Sequence, residues 1–182
     1  MSKAIGMIEY KTVSAGITAT DLMVKTADVD LIEAQTVCPG KYIAIITGEL
    51  SAVRSAVDNA RHTFELQYID SFVLGNPDES IFPAIVGTTE VGSVSALGVI
   101  ETFDAAQIIV AADNAVKTAE VKLIEIRLAR GMCGKSYAII TGEVAAVDAA
   151  IERAKDAVMP SGMLLDSTVI ARPDAKLIEK II

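Results

Sequence analysis

The sequence predicts an α+β fold built from two tandem, unpermuted copies of one domain, each an antiparallel sheet with helices on one face. Three observations predict it. The first is self-similarity: Ala4-Ile5-Gly6-Met7-Ile8-Glu9 returns as Ala96-Leu97-Gly98-Val99-Ile100-Glu101, and Asp21-Leu22-Met23-Val24-Lys25-Thr26-Ala27 as Asp113-Asn114-Ala115-Val116-Lys117-Thr118-Ala119. The second is the alternation, inside each copy, of β-branched runs with segments whose apolar residues recur on a helical period. The third is an apolar composition, 52% hydrophobic with mean hydropathy +0.45, without a span for a bilayer. The longest uncharged stretches, such as 80–89 and 91–100, fall far short of the roughly 20 apolar residues such a span needs.

Each element follows in order. Residues 4–12 read as a strand. Residues 18–27 place Leu22, Met23 and Ala27 on one helical face. Two β-branched runs, 31–37 and 41–47, are joined by Cys38-Pro39-Gly40, where Pro and Gly mark a tight turn. Ser51 opens an amphipathic helix with Val53, Ala56, Val57 and Ala60 on one side. Residues 69–74 form another strand, and Pro77 opens a short helix over 79–85. The order strand, helix, strand, strand, helix, strand is ferredoxin-like. The second copy repeats it at an offset of 92 up to Glu33/Glu125 and 94 from Gly40/Gly134, so two residues are inserted between Glu125 and Gly134. At the closing strand, Asp70/Asp166, the offset is 96. A Gly-, Ser- and Thr-rich linker at 87–95 divides the chain into domains 1–90 and 91–182.

The formal net charge is −8 with both signs interspersed, which excludes a nucleic-acid partner, because neutralising phosphates needs clustered Lys or Arg. The N-terminus has no charged segment followed by an apolar run and a cleavage site, so the protein is expected in the cytosol. Two cysteines there do not make a disulfide framework. His62, the single histidine, reads as structural. Gly40-Lys41 and Gly134-Lys135 lack phosphate-loop spacing. Asp21/Asp113 and Glu9/Glu101 recur once per copy, which points to fold-level roles rather than an acid/base dyad. No nucleophile–base pair or cofactor fingerprint appears, so an enzyme is not expected.

The opening Ala-Ile-Gly-Met-Ile-Glu, the Asp-x-x-x-Lys-Thr-Ala helix, the turn ending in Gly-Lys and the closing strand before Asn76-Pro77 or Arg172-Pro173 resemble the bacterial microcompartment shell domain, twice over. The resemblance implies a homotrimeric, pseudo-hexameric tile in the shell of a cytoplasmic microcompartment. Its partners would be other shell proteins at the tile edges and encapsulated redox enzymes. It places Lys25 and Lys117 at those edges, with Arg172 reaching across and Asn76 lacking that contact. It also sets the turns Val37, Cys38, Pro39, Gly40 and Met132, Cys133, Gly134 around a pore on the symmetry axis. The unpermuted order and Thr36-Val37-Cys38-Pro39-Gly40-Lys41 resemble a trimeric subtype from propanediol-utilisation compartments, which carries an iron–sulfur cluster on the threefold axis. This implies one [4Fe-4S] cluster per trimer with three Cys38 ligands.

From the residues alone, before the resemblance is weighed, Cys38 reads as a small packing residue or an exposed free thiol. Cys133, one position off register, is expected simply to pack. Two other readings stand beside the cluster-bearing tile: a metal-free tile whose pore admits a metabolite, and a cytosolic ligand-binding regulatory module.

Overall fold

The computed structural model describes residues 4–181. The elements are β1 (Ala4–Tyr10), α1 (Val13–Thr26), β2 (Val29–Val37), β3 (Lys41–Gly48), α2 (Leu50–Thr63), β4 (Tyr68–Gly75) and α3 (Ile81–Val86). They recur as β5 (Ala96–Thr102), α4 (Ala105–Thr118), β6 (Val121–Arg127), β7 (Ser136–Gly142), α5 (Val144–Val158), β8 (Leu164–Ile170) and α6 (Ala175–Ile181). Each copy holds one four-stranded antiparallel sheet, in the orders β2-β3-β1-β4 and β6-β7-β5-β8. The expected α+β, ferredoxin-like architecture is therefore present twice.

Helix α1 starts five residues earlier than its apolar period indicates. Thr12 leaves the strand and caps the helix, its Oγ1 accepting from Ala15 N at 3.4 Å. The same position in the second copy is Asp104, whose Oδ1 accepts from Gln107 N at 2.8 Å. Gly16, which weakens the helical pattern of the sequence, is there for packing: a Cβ on it would lie 2.4 Å from Tyr42 Cβ on β3.

Helix α2 buries Val53, Ala56, Val57 and Ala60, the four residues its period selects. They pack with Ala4, Ile8, Tyr10, Ala19, Met23, Ala44 and Ile46 into one core. Each buried valine contributes roughly 1.5–3 kcal/mol relative to an exposed one. The Tyr10 ring meets Phe64 edge-on at 6.1 Å. Its hydroxyl is buried without a partner, and burial, with a smaller push from Tyr68, raises the phenol far above its ordinary pKa.

The short helix expected over 79–85 begins at Ile81. Pro77 does not open it. Instead Asp78 Oδ1 accepts from Ser80 N (2.9 Å) and Ser80 Oγ (2.6 Å), and these bonds tie the entry turn. Pro83 occupies the third helical position, where a backbone N–H has no partner inside the helix. The chain divides into compact units of Met1–Pro77 and Asp78–Ile182, so α3 packs with the second unit although it follows the last strand of the first copy.

Candidate functional site

The turns expected at the symmetry axis differ more than their sequences suggest. In the first unit β2 and β3 run up to a three-residue connection, Cys38-Pro39-Gly40. Gly40 N donates to Val37 O at 3.0 Å, the Cys38–Pro39 peptide is cis, and Gly40 sits at φ 86°, where glycine is at ease. Val37 is buried, Cys38 half-buried, and Pro39 and Gly40 exposed.

In the second unit β6 stops at Arg127 and β7 begins at Ser136, leaving eight residues, 128–135. The insertion supplies only two of the five extra. The rest come from strand positions that no longer pair. Left-handed residues fill the loop: Ala129 (φ 50°), Gly131 (74°), Cys133 (54°) and Gly134 (92°). Ala129 N donates to the buried Ser136 Oγ at 3.0 Å and Lys135 N to Met132 O at 3.1 Å. Met132 is half-buried and Gly134 buried. Cys133 does not pack, contrary to expectation. At the tip of the Met132–Lys135 turn, with positive φ, its thiol is exposed.

Lys25 and Lys117 occupy the last turns of α1 and α4, where a cation favours the helix dipole. Each pairs one turn back: Lys25 Nζ with Asp21 Oδ2 at 2.6 Å, Lys117 Nζ with Asp113 Oδ2 at 2.7 Å. The recurring aspartates therefore serve the lysines. The first pair is exposed. In the second, Asp113 is buried and its Oδ1 also accepts from Asp78 N at 2.8 Å. Asn76 and Arg172 both follow the closing strand and are exposed. Asn76 takes φ 53°, a conformation asparagine tolerates better than most residues.

Sequence reasoning missed a polar cluster on neighbouring strands of the second sheet. Arg127 Nε donates to Glu125 Oε1 at 2.8 Å, and Tyr137 OH to Glu125 Oε2 at 3.0 Å. The guanidinium stands 5.7 Å from the Tyr137 ring centre. Burial first, then the bond to Glu125, raises the Tyr137 phenol, and the Glu125 contact raises Arg127. The signal lay in the repeat, because Arg127 and Tyr137 stand where the first copy has Gln35 and Ile43. The first copy instead pairs a different carboxylate, Glu9, fully buried and 3.0 Å from Lys41 Nζ.

Among the described residues no group of three or more His, Cys, Asp or Glu side chains converges to hold a metal ion. A cluster on Cys38 thus requires thiolates from more than one chain. No helix of the described residues is long and apolar enough to cross a membrane.

Duplicated sheets joined by capped helices, with ion pairs and turns at the notable positions, define a tandem structural-domain protein. The BMC domain family matches residues 4–77 and 96–173. The chain is 37% identical over 173 residues, 95% of its own length and 94% of the relative's, to the bacterial microcompartment shell protein PduT of Citrobacter freundii. It is 33% identical over 184 residues, 93% of this chain and 65% of the relative, to the carboxysome assembly protein CcmO of Synechococcus elongatus. A crystal structure of a microcompartment protein from Desulfitobacterium hafniense superimposes with a TM-score of 0.93 at 41% identity, covering 98% of this chain and 99% of that one. The chain belongs to the BMC domain family, with the domain in two copies. It is a structural protein of a microcompartment shell and not an enzyme.

Proposed function

We propose that the chain forms a homotrimeric, pseudo-hexameric tile whose threefold axis carries a [4Fe-4S] cluster on three Cys38 thiolates. The observation that carries this reading is the divergence of the two turns. A trimer would present three short Cys38-Pro39-Gly40 turns and three long 128–135 loops, so the two copies would offer unequal turns to the axis. The half-buried Cys38, beside an exposed proline and glycine without bulky side chains, leaves room for three thiols to approach one another.

Iron–sulfur clusters take thiolate ligands. Three Cys38 side chains leave a fourth position to water, a small ligand or a partner. When bound, the group supplies one-electron chemistry, and the tile either passes electrons across the shell to enzymes inside or hands the cluster over. Lys25 and Lys117 with Arg172 line the edges toward neighbouring shell proteins in this reading.

Anaerobic purification with iron and sulfide analysis tests it. The expected result is a brown protein that loses colour and iron on Cys38→Ser and keeps both on Cys133→Ser. A colourless, iron-free protein, or colour that survives Cys38→Ser, overturns the cluster and leaves the tile. In the metal-free alternative, Cys38 and Pro39 only shape a pore for a metabolite. The same analysis separates the two.

A further inference from the structure

Side chains alternate across a strand, so the second sheet has two unlike faces. A Cβ on Gly98 would meet Val147 and Ile151 of α5, which puts Leu97, Val99 and Glu101 on the face away from that helix. On this far face the register sets Arg127, Tyr137 and Glu101 side by side in one row across β6, β7 and β5. The next row is Glu125, Ile139 and Val99.

Helix α6 covers part of this face, Ile178 and Ile181 packing against Leu97, Ile124 and Ile139. Its cover is incomplete. A cavity of about 450 Å³ remains, with Val99, Ile139 and Ile181 as apolar wall and Glu101, Arg127 and Lys180 as its charged lining. A second recess of about 200 Å³ shares Arg127 and Ile181 with it and takes in Thr89. The Thr89 hydroxyl oxygen is buried without a hydrogen-bond partner.

The charges in the cavity are only partly satisfied. A guanidinium has five N–H donors, and Glu125 takes those of Nε and Nη2 of Arg127. The Glu101 carboxylate and the Lys180 ammonium have no partner among the described residues. The first copy arranges the same row differently. Its residues are Gln35, Ile43 and Glu9; Ile43 and Glu9 are fully buried, and Glu9 pairs with Lys41 at 3.0 Å. Lys135, which aligns with Lys41, precedes β7 and is exposed. The second copy therefore leaves its carboxylate open to a ligand.

We propose that this cavity binds a small hydroxycarboxylic acid. Its carboxylate accepts from Arg127 and Lys180, its short hydrocarbon chain lies on Val99, Ile139 and Ile181, and its hydroxyl donates to Glu101. Arg127 and Glu101 stand two strands apart, so their backbones are separated by about 10 Å. After both side chains reach inward, that gap suits a chain of three or four carbons. A dicarboxylate meets repulsion from Glu101, and a neutral diol gains nothing from the two cations. Neither the trimer nor the iron–sulfur cluster enters this inference.

Isothermal titration calorimetry of the full chain tests it with 3-hydroxybutyrate, butyrate and butane-1,3-diol. Saturable binding of 3-hydroxybutyrate is expected, with each analogue weaker by about tenfold or more, the scale of one charge-assisted hydrogen bond. Lys180→Gln, at an exposed helix position, weakens both acids by about tenfold and leaves the diol unchanged. Glu101→Gln weakens 3-hydroxybutyrate but tightens butyrate, because a like charge is removed. Circular dichroism spectra that match the parent show that both variants fold. No saturable heat from 3-hydroxybutyrate, or an affinity that neither substitution moves, overturns the site. A diol that binds as tightly as the acid removes the role of the cations, and butyrate that does so removes the role of Glu101; either result overturns the assignment.

Discussion

Replacing Gly16 by alanine sets two effects against each other, and the structure decides between them. Alanine is favoured over glycine in a helix interior by about 1 kcal/mol, so propensity alone makes Gly16→Ala stabilising. The new Cβ, however, would stand 2.4 Å from Tyr42 Cβ and Cδ1 and 2.5 Å from Cγ, where carbon atoms rest at about 3.5–4.0 Å. Rotating the tyrosine does not relieve this, because its Cβ is fixed to the backbone of β3. That backbone is paired on both sides, with Tyr10 on β1 and Thr36 on β2. The helix must therefore move by about 1 Å, and overpacking of this kind costs roughly 1–3 kcal/mol or more. The net expectation is a loss of about 1–2 kcal/mol, read as a lower urea midpoint at unchanged slope. The second copy solves the same contact the other way round, with Ile108 at the position of Gly16 and a small Ser136 at that of Tyr42, both buried. Hence Gly16→Ile with Tyr42→Ser is less destabilising than the sum of the two single changes, by about 1 kcal/mol or more. A Gly16→Ala chain as stable as the parent, or more so, would refute the reasoning.

Two further outcomes follow from buried polar groups. Asp113→Ala removes the buried acceptor for Asp78 N together with one ion-pair partner of the exposed Lys117, and costs about 1–3 kcal/mol in chemical denaturation. Asp21→Ala, in the exposed copy of that ion pair, costs no more than about 0.5 kcal/mol. Tyr10→Phe removes a buried hydroxyl without a partner and stabilises by about 1 kcal/mol at neutral pH. Because burial raises the Tyr10 phenol above its unfolded value of 10.0, its protonated form contributes stability that is fully present below pH 10 and lost as the pH climbs beyond. The stability curve of Tyr10→Phe therefore falls less steeply above pH 10 than that of the parent, as denaturant melts across that range measure.

The repeat made most of the fold legible, because strands and helices that recur twice report the same backbone twice. What stayed hidden depended on residues far apart in sequence. The first turn of α1 was obscured by Gly16, whose reason lies across the core in Tyr42. The length of the 128–135 loop reflects strand pairing that lapses around a two-residue insertion, which counting residues does not reveal. At the candidate site, Lys25–Asp21 and Lys117–Asp113 were readable from four-residue spacing on a helix. The Asp78–Asp113 bond spans 35 residues and was not. Nor was the membership of α3 in the second unit, since only packing decides which sheet a terminal helix covers.

The opposite solutions to one contact, Gly16 with Tyr42 and Ile108 with Ser136, also bear on how such a gene endures. Two similar stretches within one gene invite recombination that would make them identical again. A crossover falling between the helix and the strand would unite Ile with Tyr, which do not fit, or Gly with Ser, which leave a void. Either hybrid loses stability at once, so selection removes it. The mismatch thus disfavours exchange between the two halves of the gene.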